Sequence, residues 1–185
     1  MSARKPRPAS PGTRSEDEIA SMIRVDHAGE YGAVRIYEGQ LAVLGGRDSD
    51  AARSIRRMAE EEQRHLRTFD RLIVERRVRP TALEPVWRVA GFALGAATAL
   101  LGEKAAMACT AAVEEVIDEH YAGQLEKLGD SDAELKATVA DFRADEVAHR
   151  DEALAKGAED APGYRVLSEA IKTGCRIAIA LSTRI

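Results

Sequence analysis

At two places in the chain a glutamate stands three residues ahead of a histidine: Glu62 with His65 in EEEQRHL, and Glu146 with His149 in EVAH. On a helix this spacing sets a carboxylate and an imidazole one turn apart on a single face, where both can hold the same cation. A single Glu-x-x-His is common on solvated, charged helices and would carry little weight. Here the pattern is part of an internal repeat. YEGQLAVLG, from Tyr37, recurs as YAGQLEKLG, from Tyr121, and that offset of 84 residues also carries Glu30 onto Glu114, Glu62 onto Glu146 and His65 onto His149. The repeat chooses among the three adjacent acids as well: Glu60 and Glu61 fall on Ala144 and Asp145, and only Glu62 keeps a glutamate partner at the right distance from its histidine.

These six residues do chemistry together only if helices bring them to one level. Ser15 and Glu18 have the form of a capping box that opens a first helix reaching Leu44, where Gly45-Gly46 stops it. A second helix is expected from about Asp48 to Val78. After Pro80 and Pro85, helical periodicity runs unbroken from Val86 to Gly129. A fourth helix follows from near Ser131 to about Gly157, and Pro162 opens a fifth, amphipathic one that reaches the C-terminus. Glu30 and Glu62 are 32 residues apart and centred on the Gly45-Gly46 turn; Glu114 and Glu146 are also 32 apart and centred on Gly129-Asp130. Residues equidistant from an antiparallel turn lie level, so sixteen residues at ~1.5 Å each place both pairs about 24 Å from their turns. All four glutamates share their helix faces with apolar residues, for example Ile23, Val34 and Tyr37 around Glu30 and Ile55, Met58 and Phe69 around Glu62.

Four carboxylates on core-facing stripes need neutralising, because an unpaired buried carboxylate is very costly. Two divalent cations do this if the glutamates bridge and the histidines complete the coordination. Oxygen-rich ligation with two imidazoles and no thiolate suits iron or manganese better than structural zinc. One Glu from each of two helices and Glu-x-x-His from each of the other two is the constellation of ferritin-like di-iron and di-manganese proteins. The expected fold is therefore all-α: a ferritin-like four-helix bundle of two repeated hairpins, with additional short and C-terminal amphipathic helices. Nearby residues keep two readings open. Asp26 and His27, one turn before Glu30, either orient a ligand by hydrogen bonding or are simply satisfied polar groups; Tyr121, beside His120, either reaches the cluster or packs. Gly29 and Gly32 either leave room for a substrate or allow close helix packing, and the Val86 to Leu101 segment is either a core helix or a membrane-facing one.

Composition narrows the function. The chain has 185 residues, 4% aromatics and a formal net charge of -4, with no basic stripe to follow a phosphate backbone, so nucleic acid is not an expected partner. Cys109 and Cys175 stand in apolar helical contexts without CxxC spacing and read as buried, reduced thiols. Residues 1–14, basic and rich in Pro and Ser, read as a disordered tail ahead of a domain covering residues 15–185. The longest uncharged run, Val89 to Gly102, is 14 residues, short of the roughly 20 a membrane span needs.

From about Ser21 to the last residue the chain resembles the demethoxyubiquinone hydroxylases of ubiquinone biosynthesis. The resemblance rests on MIRVDHAGEYGAVRIYEGQ, AMACTAAVEEVIDEHY, FRADEVAHRDEAL and GCRIAIALSTRI. It implies a di-iron monooxygenase with Glu30, Glu62, His65, Glu114, Glu146 and His149 as ligands of two iron ions, the same set the repeat selects. It also implies O2 as co-substrate, NADH as reductant, acting directly or through the quinone, and hydroxylation of the demethoxyquinone ring in the penultimate step of the pathway. The substrate would be a polyprenyl quinone. Further implications are peripheral membrane association and help from a lipid-presenting protein or other ubiquinone-biosynthesis enzymes. The implied location is the cytoplasmic side of a bacterial inner membrane, with the matrix side of the mitochondrial inner membrane as the alternative. Two rivals compete with this expectation: a ferritin- or rubrerythrin-like ferroxidase sharing the ligand set, and a non-enzymatic helical adaptor.

Overall fold

The structure is a computed structural model that describes residues 16–185; the expected tail and Ser15 of the capping box lie outside the described residues. Six α-helices account for nearly all of it: α1 Glu16–Leu44, α2 Asp50–Glu75, α3 Glu84–Leu100, α4 Glu103–Leu128, α5 Ala133–Ala155 and α6 Tyr164–Ser182, with a 3-10 turn at Ala158–Asp160. Among the described residues there is no strand. The ends follow local chemistry. Ser49 caps α2 by accepting from the Ala52 N–H, and Asp132 caps α5 by accepting from the Leu135 N–H.

Helices α1 and α2 form one hairpin and α4 and α5 the other, and the two pack as a four-helix bundle. Their turns lie at opposite ends. Leu44 and Ala52, beside the first turn, share an apolar cluster with Ala106, Met107 and Ala153, whereas Leu128 and Leu135, beside the second, share another with Ile23, Leu72 and Val78. The bundle thus has two apolar halves, and the polar layer lies between them.

One expectation fails here. The periodicity from Val86 to Gly129 is not one helix: the chain breaks at Gly102, whose φ of 117° is a conformation that favours glycine, and α3 leaves the bundle while α4 enters it. No proline marks the break; Glu103 and Lys104 follow the glycine directly, but helical periodicity continues on both sides of it. Outside the bundle, α3 lies against α1 with glycines at the contact. A Cβ on Gly95 would stand 1.9 Å from the Ile36 carbonyl oxygen, and one on Gly39 would stand 2.2 Å from that of Phe92. The outer face of α3 stays exposed at Val86, Val89, Leu100 and Leu101, so the segment is not a core helix. Helix α6 packs against α4, and α1, α3, α4 and α6 together enclose a mostly apolar cavity of about 530 Å³.

Candidate metal centre

The six residues chosen by the repeat meet in the middle of the bundle, and all six are buried. Glu30 comes from α1, Glu62 and His65 from α2, Glu114 from α4, Glu146 and His149 from α5. Glu62 turns one oxygen toward each imidazole, with Oε1 3.2 Å from His149 Nδ1 and Oε2 3.8 Å from His65 Nδ1. Glu146 does the same, with Oε1 3.2 Å from His65 Nδ1 and Oε2 3.5 Å from His149 Nδ1. Ligand atoms fall into two groups whose members lie within 4.8 Å of one another: Glu30, Glu62, His65 and Glu146, and Glu62, Glu114, Glu146 and His149. Glu62 and Glu146 belong to both groups and are placed to bridge. Glu30 and Glu114 each belong to one.

Orphaned atoms mark what the layer fits. Glu62 and Glu146 have no hydrogen-bond partner for either oxygen, and Glu30 Oε2, Glu114 Oε2 and both Nδ1 atoms lack one too, all of them out of contact with solvent. Leaving such groups unsatisfied is costly. Two divalent cations would balance four carboxylates while the imidazoles stay neutral, and a donor set of carboxylates and imidazoles suits iron or manganese.

The atoms that point away from the centre are held by a surrounding ring of hydrogen bonds. His65 Nε2 lies 3.0 Å from Asp145 Oδ2, and His149 Nε2 lies 2.6 Å from Glu61 Oε2, each acid coming from the opposite hairpin. The tyrosines match this exchange: Tyr37 OH donates to Glu114 Oε1 at 2.7 Å, and Tyr121 OH donates to Glu30 Oε1. Glu61 and Asp145, like Tyr37 and Tyr121, are 84 residues apart, so the twofold arrangement covers these supporting groups as well. Such partners fix the tautomer and orientation of a metal-binding imidazole.

Of the residues the sequence offered as orienting groups, Tyr121 makes its contact. Asp26 and His27 do not: His27 Nε2 pairs with Asp70 Oδ1 at 3.0 Å, and Asp26 Oδ1 accepts from Gln124 at 2.7 Å and lies 3.0 Å from His120 Nε2. Glu61, Asp145 and Tyr37 are the groups sequence reasoning missed. Gly29 and Gly32 border the cavity, and a Cβ on either would meet nothing within 4 Å, so both leave space, although the Gly32 carbonyl oxygen packs against Gly91 of α3. Cys109 is a buried free thiol, whereas Cys175 is only partly buried and lines the cavity.

Burial pushes the Glu62 and Glu114 carboxyls well above the usual carboxylate range, reinforced by the charge on Glu146. Burial also works to lower His65 and His149, but their contacts with Glu146, and with Glu30 and Glu62 respectively, outweigh it and raise them to about 11 and about 12. Glu146 is held at about 2 against its own burial by the two imidazoles. At pH 7 the metal-free layer therefore carries protons where cations would sit. Loading with Fe(II) or Mn(II) is expected to release about two protons or more per chain, because a metal-bound imidazole must be neutral. Binding should accordingly tighten as pH rises. Calorimetric titration in buffers of different ionisation enthalpy counts the protons, and no release would contradict this account of the layer.

An antiparallel bundle with one Glu on each of two helices and Glu-x-x-His on each of the other two is a ferritin-like fold with the side-chain constellation of its di-metal carboxylate members. Comparison with known proteins places the chain more closely. It belongs to the family described as ubiquinone biosynthesis protein COQ7, whose model matches residues 17–182. It is similar to the 3-demethoxyubiquinol 3-hydroxylase of Rhodospirillum rubrum, 58% identical over 167 residues covering 90% of this chain and 78% of that one. The human NADPH-dependent 3-demethoxyubiquinone 3-hydroxylase, mitochondrial, is 50% identical over 175 residues, 92% of this chain and 80% of that one. The Saccharomyces cerevisiae 5-demethoxyubiquinone hydroxylase, mitochondrial, is 43% identical over 179 residues, 89% and 77% respectively.

Proposed function

We propose that the chain is the O2-dependent hydroxylase of the demethoxyubiquinol ring, acting in ubiquinone biosynthesis at two iron ions held by Glu30, Glu62, His65, Glu114, Glu146 and His149. The observation that carries this assignment is the single buried layer in which two four-residue groups share Glu62 and Glu146, next to an apolar cavity that reaches Glu30 and Tyr121. Two iron ions held by these six residues would supply electrons to O2 and so activate it. In the net reaction a ring C–H becomes C–OH with one oxygen atom of O2. The other leaves as water, using two electrons and two protons that come from a reduced nicotinamide and the medium. The human relative's name points to NADPH, the sequence resemblance to NADH, and the chain has no dinucleotide fingerprint of its own.

The residues of the chain do the positioning. Asp26, Glu30, His120 and Tyr121 supply the ionisable groups of a cavity whose remaining wall is mostly Ala, Gly, Val, Leu and Ile, with Cys175 and with Trp87 and Ser182 hydrogen-bonded to each other, so a polar ring would lie beside Glu30, with its tail along the apolar remainder. Asp26 Oδ2 is buried and has no partner, which makes it the acceptor available to a ring hydroxyl. Burial, opposed by His120 and Gln124, raises the Asp26 pKa. Gly29 and Gly32 on α1 and Gly174 on α6 line the cavity with nothing within 4 Å of where a Cβ would stand, and so keep the passage open. Exposed apolar side chains on α3 and α6, Val89, Leu100, Val166 and Ile177 among them, support peripheral association with a membrane. No described helix is long and apolar enough to cross a membrane.

Iron-loaded protein, reduced nicotinamide, labelled O2 and a demethoxyquinone, followed by product mass, provide the test. One labelled oxygen atom in the ring is the expected result. Repeated oxidation of added ferrous iron with the quinone unchanged would transfer the assignment to a ferroxidase.

A further inference from the structure

How does a divalent cation reach a layer with no solvent contact? Both ends of the bundle are closed by apolar clusters, and α4 packs closely on α5; a polar pocket between α1 and α2, lined by Glu38, Glu60 and Arg67 among others, is lined by none of the six layer residues. The α1 and α4 side is covered by α3, α6 and the cavity, whose wall is mostly alkyl apart from the polar groups around Glu30, a poor path for a hydrated cation. The remaining wall, between α2 and α5, is built differently. Side chains bridge it with little close backbone packing, and they are charged. Arg57 donates to Glu152 and its Nε lies 4.0 Å from Glu61; Arg64 donates to Asp145, and to Asp141 at 3.2 Å.

Behind this seam the metal layer is one imidazole away. Glu61 and Asp145, with side chains 39% and 34% exposed, contact the outer nitrogens of His149 and His65, whose side chains are 3% and 0% exposed. The inner nitrogens of the same rings are the orphaned Nδ1 atoms of the two four-residue groups. One polar step therefore connects solvent to the centre, and that step is lined with carboxylates.

We propose that divalent cations load through the α2–α5 seam, with Glu61 and Asp145 as capture carboxylates and with Arg57 and Arg64 as the side chains that must swing aside. This rests on the six-residue layer being the metal site. The arginines are half exposed, at 50% and 48%, so their ion pairs are weak enough to open. They also place positive charge in the cation's path. Removing both is expected to accelerate uptake about tenfold, the lower range of what local charge does to association rates. A residue on the route, unlike one that stabilises the bound state, speeds uptake and release together.

The test is stopped-flow uptake of Co(II) by the metal-free full-length chain, read from the visible absorbance of the bound ion, with release measured into a chelator. Arg57→Gln with Arg64→Gln should raise both rates and leave the final number of ions per chain unchanged, while Gly32→Leu, which fills the cavity, should leave both rates alone. Circular dichroism confirms that each variant is folded, and Arg57→Lys with Arg64→Lys, which keeps the charge, should give intermediate rates. Equal rates in all variants, or slower uptake in Gly32→Leu alone, would overturn the seam as the route. If the wild-type chain bound no Co(II) at all, the metal assignment itself would fall, an outcome separable from the others.

Discussion

Glu62→Ala is expected to bind neither iron ion and to lose hydroxylation by at least about a thousandfold, while Glu30→Ala and Glu114→Ala each keep close to one ion per chain. The difference follows from the sharing in the layer. Glu62 and Glu146 offer an oxygen to both four-residue groups, so losing either removes a ligand from each ion and the charge that holds the pair together. Glu30 and Glu114 serve one group apiece. The expected loss of activity is of the size seen when a group required throughout the chemistry is removed. Iron per chain, measured after desalting, reads the result independently of turnover, and retained helical circular dichroism excludes unfolding. Two ions per chain in Glu62→Ala would end the bridging assignment. A single ion in Glu62→Ala and none in Glu30→Ala would reverse the roles.

How much of this was legible in the sequence depended on what repeats. The six layer residues could be read because each has a partner 84 residues away, and because hairpin arithmetic put both pairs level; the structure brings them together as that arithmetic required. The same offset links Glu61 with Asp145 and Tyr37 with Tyr121, so a signal for the supporting ring was present. It was missed for physical reasons. Glu61 sits in a run of three acids where solvation is the ordinary reading, and Tyr37 sits on an apolar stripe where packing is. Asp26 and His27 were drawn toward Glu30 by spacing alone. Their helix position aims His27 at Asp70 across the hairpin and Asp26 at His120 and Gln124, and no periodicity encodes those cross-helix partners. The break at Gly102 was hidden because α3 and α4 are both apolar, α3 through contacts with α1 and its exposed outer face, α4 through the core.

Gly32→Leu separates the two readings that sequence left open for the glycines of α1, because they predict opposite signs. If Gly32 were present for close packing, a leucine would force helices apart and destabilise the fold by about 1–3 kcal/mol. The structure gives the other answer: Gly32 lines the cavity and a Cβ there meets nothing within 4 Å, and glycine inside a helix costs roughly 1 kcal/mol relative to a good helix former. Gly32→Leu is therefore expected to raise the melting temperature and to leave iron content unchanged. Hydroxylation should nevertheless fall about a hundredfold, the effect of displacing a reacting centre by about 1 Å, since Gly32 lines the same cavity as Glu30 and Tyr121, in which the ring must lie. Melting temperature, iron content and kcat/KM on one preparation decide the matter. Gly95→Leu supplies the contrast, for its Cβ would collide with the Ile36 backbone, and there stability and activity should fall together. A glycine retained against helix propensity, facing open space beside buried carboxylates, serves the substrate's volume and not the protein's packing.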